Sequence, residues 1–106
     1  MRTYELRAYT LSSREAFDSY RTVHYPRHPT GFAHHGVGLH GLWTAQDGSL
    51  VLYALVSYAE GEDPEKVAER FMRSAEFQAD MAGFDPSTIV DVTTTRFKPS
   101  AGSPLL

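Results

Sequence analysis

Leu50-Val51-Leu52-Tyr53-Ala54-Leu55-Val56-Ser57-Tyr58 is the clearest strand in this 106-residue chain, and both of its faces are largely apolar. Side chains alternate across a strand, so Leu50, Leu52, Ala54, Val56 and Tyr58 share one face and Val51, Tyr53, Leu55 and Ser57 the other. A strand of that composition is expected to be buried on both sides. Asp47-Gly48, just ahead of it, is a turn signal, and Leu39 to Ala45 reads as the strand before that turn.

Working outward, Thr3 to Thr10 alternates in strand fashion. Tyr4, Leu6 and Ala8 lie on one face and Glu5, Arg7 and Tyr9 on the other. Ser12-Ser13-Arg14-Glu15 has the spacing of a capping box. Ala16, Phe17, Tyr20, Val23 and His24 follow at helical spacing until Pro26, which is expected to break the helix and push Tyr25 out of helical geometry. Arg27 to Gly38, with Pro29, Gly31, Gly36 and Gly38, reads as a loop holding a short helical turn. Asp63 caps a second helix, with Pro64 at its first position and an apolar stripe of Val67, Ala68, Phe71, Met72 and Ala75. Ser74 restarts it for Phe77 and Met81, and Gly83 and Pro86 end it. Ile89 to Phe97 is a Val- and Thr-rich last strand.

The order is β-α-β-β-α-β, an α+β, ferredoxin-like arrangement with two helices on one face of a four-stranded antiparallel sheet. Two helices cover one face only. The second apolar face of Leu50–Tyr58 therefore calls for a second copy of the chain, sheet against sheet.

Composition narrows the function. Ten basic residues are scattered against thirteen acidic ones, for a formal net charge of −3, so the footprint that nucleic-acid binding requires is missing. The absence of cysteine excludes disulfides, thiol catalysis and Cys-ligated zinc. Charges interrupt the N-terminal residues, and no apolar run is long enough to span a membrane, so a cytoplasmic protein with no membrane partner is expected. No serine sits in a nucleophile elbow, and Gly36-Val37-Gly38 lacks the strand and helix that flank a phosphate loop.

All five histidines, His24, His28, His34, His35 and His40, fall within one short window. Pro26 interrupts the i,i+4 pair His24/His28, no carboxylate lies between Asp18 and Asp47, and adjacent His34 and His35 should diverge. No metal site is expected. His24 or His28 is instead the candidate proton carrier, because imidazole titrates near neutrality. Leu6 and Ala8 suit packing on helices, so Glu5, Arg7 and Tyr9 are assigned to the opposite face, looking into a pocket near Pro26. Arg7 could hold an oxyanion there, or simply pair with Glu5 or Asp91. Tyr20, His40, Trp43 and Tyr53 are candidate ligand-lining residues, whereas Asp18 and Asp80 read as a solvated face.

Four stretches resemble one family. Tyr4-Glu5-Leu6-Arg7-Ala8-Tyr9-Thr10, Gly41-Leu42-Trp43-Thr44, Ser74-Ala75-Glu76-Phe77-Gln78 and the run from Phe97-Lys98-Pro99 to Ser103-Pro104-Leu105 are similar, in order, to motifs of the NIPSNAP family of the dimeric α+β-barrel superfamily. The resemblance implies a dimeric α+β-barrel domain over residues 1–98 and a tail over 99–106. Family members carry His and Trp in the third strand where this chain has Ala54 and Val56, which implies a differently shaped pocket. By analogy with the superfamily, the expected function is that of a small enzyme that needs no cofactor. It would rearrange, cyclise or oxygenate a hydrophobic, oxygenated small molecule. The alternative is a non-catalytic ligand-binding or protein-interaction module.

Overall fold

The computed structural model describes residues 1–106. Four strands, β1 (Thr3–Leu11), β2 (Val37–Thr44), β3 (Val51–Tyr58) and β4 (Ile89–Phe97), form one antiparallel sheet in the order β2-β3-β1-β4. The helical segments are α1 (Arg14–Ser19), a π-helical turn (Tyr20–His24), a 3-10 turn (Tyr25–Arg27), α2 (His28–His34), α3 (Pro64–Met72) and α4 (Ala75–Asp80). This is the ferredoxin-like α+β architecture expected from the element order. No helix is long and apolar enough to cross a membrane.

One sheet face builds the core. Tyr9, Leu11, Val37, Leu52, Ala54, Val56 and Tyr58 pack against Phe17, Tyr20, Tyr25, Phe32, Val67 and Phe71. Burying each large side chain contributes about 1.5–3 kcal/mol. The register sets Tyr9 opposite Leu52, Arg7 opposite Ala54 and Glu5 opposite Val56. Glu5, Arg7 and Tyr9 therefore face the helices, whereas Tyr4, Leu6 and Ala8 lie on the outer face. This reverses the expected assignment for the first strand. The strand runs on to Leu11, whose side chain is buried on the helical side and fixes the parity. Glu5 and Arg7 tolerate that side because they neutralise each other.

The outer face carries Leu6, Ala8, Val51, Tyr53 and Leu55, all half-buried, with Trp43 and Phe97 exposed beside them. Residues 98–105 lie against one end of it, beside Tyr4, Leu55 and Phe97.

Pro26 does not end the first helical segment. Tyr25 keeps helical angles (φ −62, ψ −40), and its N–H donates to the carbonyl of Tyr20 across the widened turn. The clash of a mid-helix proline is avoided by changing the size of the turn, not by leaving the helix. What read as a loop becomes α2. Two caps form as expected: Asp63 accepts from the Glu65 amide (3.0 Å) and Ser74 from the Phe77 amide (3.1 Å). At α1 the cap is Ser13, accepting from the Ala16 amide at 3.1 Å, one residue later than the capping-box reading.

Candidate functional site

Between the sheet and the helices lies a cavity of about 440 Å³. Its walls are mostly apolar: Phe32 from α2, Phe71 from α3, Phe77 and Met81 from α4 and its end, Ile89 and Val92 from β4. Size and lining are those of a small-molecule site.

The polar end is built on β1. Glu5 is almost fully buried and accepts from Arg7 Nε (2.7 Å), Tyr58 Oη (2.9 Å) and Arg96 Nε (2.9 Å). Arg7 donates through Nη1 to Tyr9 Oη at 3.2 Å and through Nη2 to Tyr58 Oη. Burial pushes the Glu5 carboxyl up, but the two guanidinium groups and the Tyr58 hydroxyl outweigh it and hold it below the usual carboxylate range. Burial works against the Arg7 charge, yet the surrounding phenols and Glu5 hold the guanidinium above its ordinary value. Burial pushes the Tyr58 phenol up to about 12, so it stays protonated. Arg7 keeps two of its five N–H groups free of protein acceptors.

A second polar group stands in the apolar wall. His28 packs among Tyr25, Phe32, Phe71 and Phe77, its ring stacked on Phe77 at 5.6 Å. Its Nδ1 donates to Asp80 Oδ2 at 2.8 Å, and Nε2 has no protein partner. Burial lowers the His28 pKa despite Asp80, so the ring is neutral at pH 7, with Nε2 as its acceptor. Asp80, read from the sequence as solvated, is only 14% exposed and orients this ring.

Five of the residues singled out from sequence converge on the cavity: Glu5, Arg7, Tyr9, Tyr20 and His28. His24 does not line it. That ring is buried beside Phe84 and donates from Nδ1 to the Asp80 carbonyl at 2.9 Å, which makes it a brace between the first helical segment and α4. His40 is on the outer face, where Nε2 meets Ser57 Oγ at 2.8 Å and the ring lies against Tyr4. Trp43 and Tyr53 pair across β2 and β3 on that same outer face, so they cannot reach the cavity. Nor do His34 and His35 diverge: both reach Glu76, at 2.5 and 3.8 Å. No group of three or more His, Asp or Glu side chains is arranged to hold a metal ion.

Tyr58 and Arg96 are polar cavity residues that sequence reasoning missed. Arg96 sits opposite Glu5 in the β1–β4 register, a pairing that needs the strand alignment to be found. Asp91, the other partner considered for Arg7, pairs with Thr10 on the outer face.

The comparisons agree with this fold. The chain covers 99% of itself and 94% of a NIPSNAP family protein with unknown function from Agrobacterium tumefaciens, at 20% identity and a TM-score of 0.77. A NIPSNAP domain protein from Burkholderia xenovorans superposes with a TM-score of 0.71 at 17% identity, over 96% of this chain and 98% of that one. A proposed antibiotic biosynthesis monooxygenase from Caulobacter crescentus shares the fold at 13% identity and a TM-score of 0.65, over 93% and 90%. No curated protein matches the chain. The NIPSNAP family model matches residues 4–104, nearly the whole sequence, and the chain belongs to the NIPSNAP family.

Proposed function

We propose that this protein is a small enzyme that needs no metal or organic cofactor and acts on a hydrophobic, oxygenated small molecule, by abstracting a proton from carbon next to a carbonyl. The observation that carries this reading is the pairing, within one apolar cavity, of a neutral imidazole oriented by a carboxylate and a charged guanidinium with spare N–H groups. His28 Nε2 takes the proton, Asp80 steadies the imidazolium that forms, and Arg7 stabilises the enolate oxygen. The apolar wall excludes water, which strengthens both effects. An enolate is the shared first intermediate of rearrangement, cyclisation and cofactor-free oxygenation. The likeness to a proposed monooxygenase supports the last of these by fold alone. Tyr9 and Tyr20 line the bound molecule, and the apolar outer face fits a second copy of the chain, giving a homodimer.

The test uses 2-tetralone, a hydrophobic ketone with acidic α-hydrogens, in D2O followed by NMR. Wild-type protein should accelerate α-hydrogen exchange, and His28→Gln should lower that acceleration about 100-fold or more. A second reading, a binding module without catalysis, is favoured by the way Arg7 is tied to Glu5 and two phenols. Binding of 2-tetralone with no acceleration of exchange would establish that reading and remove the catalytic one.

A further inference from the structure

The polar end of the cavity gathers two guanidinium groups around one buried carboxylate. Glu5 is a single carboxylate gripped by two guanidinium groups, Arg7 on Oε1 and Arg96 on Oε2. His28 is neutral, and burial keeps the Tyr20 and Tyr58 phenols protonated. The other carboxylate in the lining, Glu65, is 80% exposed and stands 3.8 Å from Arg96, beyond hydrogen-bond reach. Within hydrogen-bond reach, two guanidinium groups thus share the single carboxylate of Glu5 at the polar end of an otherwise apolar chamber.

The two guanidinium groups have unused donors. Arg96 spends only Nε on Glu5, and Arg7 keeps two N–H groups. The two arginines already flank one carboxylate, so a second carboxylate beside them would complete an alternating set of charges. Arg96 is 42% exposed and Arg7 13% exposed, which places one at the mouth and the other inside. The apolar wall of Phe71, Phe77, Met81, Ile89 and Val92 continues from this polar end.

We propose that the ligand is an apolar carboxylate, its head group held by the spare N–H groups of Arg96 and Arg7 and its body lying along the aromatic wall. This inference rests on reading the cavity as a ligand site, and it narrows the substrate class to monoanions. On binding, the ligand displaces Glu65 from the neighbourhood of Arg96. A charge-assisted, two-arginine contact in a partly desolvated site discriminates strongly against a neutral analogue.

Calorimetric titration with decanoate and with decan-1-ol tests this. Decanoate should bind wild-type protein at least about 10-fold tighter than the alcohol. Arg96→Gln should bring that ratio close to one. Glu65→Gln, a change at an exposed position, should tighten decanoate about threefold and serves if Arg96→Gln fails to fold. Equal binding of acid and alcohol by wild-type protein would overturn the anion inference while leaving the cavity reading in place. Failure of both probes to bind would overturn the cavity reading and the inference with it.

Discussion

Glu5→Gln is the sharpest perturbation of the polar network. The side chain is 4% exposed and accepts three hydrogen bonds, two of them from guanidinium groups. The amide keeps the shape and removes the charge. Arg7, 13% exposed, would then hold an uncompensated charge among phenols. Removing one partner of a buried ion pair costs about 3–5 kcal/mol. Arg96 can turn to solvent and recover part of that, so the expected loss is about 3 kcal/mol. Arg7→Met leaves Glu5 with Arg96 and should cost less, about 2 kcal/mol. The double variant removes both buried charges and should be more stable than the sum of the single losses allows, by about 1–3 kcal/mol. Urea unfolding at fixed protein concentration reads each value, and a 3 kcal/mol loss moves the midpoint down by about 2 M for a domain of this size. A Glu5→Gln protein within about 0.5 kcal/mol of wild type, or strictly additive losses, would refute the reasoning.

Three further outcomes are expected. Burial sets the folded pKa of His28 below its ordinary 6.5, and the arginines hold that of Glu5 below 4.5, so both contributions to stability are complete above those values. The melting temperature should therefore fall as pH drops below about 6.5 and again below about 4.5, with the first stage weakened in His28→Gln; a melting temperature that rises between pH 7 and 5 would contradict this. Tyr25 Oη is buried without a hydrogen-bond partner, so Tyr25→Phe should leave stability unchanged or raise it by about 1 kcal/mol, and a loss of 2 kcal/mol in thermal unfolding would mean that the hydroxyl is satisfied. Light scattering should give twice 11.8 kDa for the wild-type protein, and Leu55→Lys on the outer face should give a folded monomer; a monomeric wild type would remove the case for the shared barrel.

Much of the fold was legible because its signals are local. β4 begins and ends where the Val- and Thr-rich run does, and the caps at Asp63 and Ser74 are set by residues that favour those positions whatever surrounds them. What escaped depended on contacts distant in sequence. The parity of β1 turned on a single residue, Leu11, beyond the reach of the alternating pattern. Glu76 and Asp80 resemble solvent-facing acids on a short helix until α2 is laid against α4 and the histidines meet them. Alternation along β1 put Glu5, Arg7 and Tyr9 on one face and Pro26 drew attention to His28, and the structure brings these residues and Tyr20 to the cavity lining. Tyr58 and Arg96 lie 53 and 91 residues from Glu5 and join it only through strand register.

The widened turn at Tyr20–His24 has a bearing on how this protein could change. An α-helix advances about 100° per residue, so one residue sets the angular phase of everything after it. Deleting a residue between Tyr20 and His24 would restore ordinary winding and shorten the chain by almost nothing. It would also swing His28 by roughly a quarter-turn, off Asp80 and out of the aromatic wall. Insertions and deletions in this segment are thus rotations of the imidazole about the helix axis. A family that shares this scaffold could aim or retire that group by a one-residue change in length, with its sheet left untouched and Tyr25 and Phe32 of the core repacked along with it.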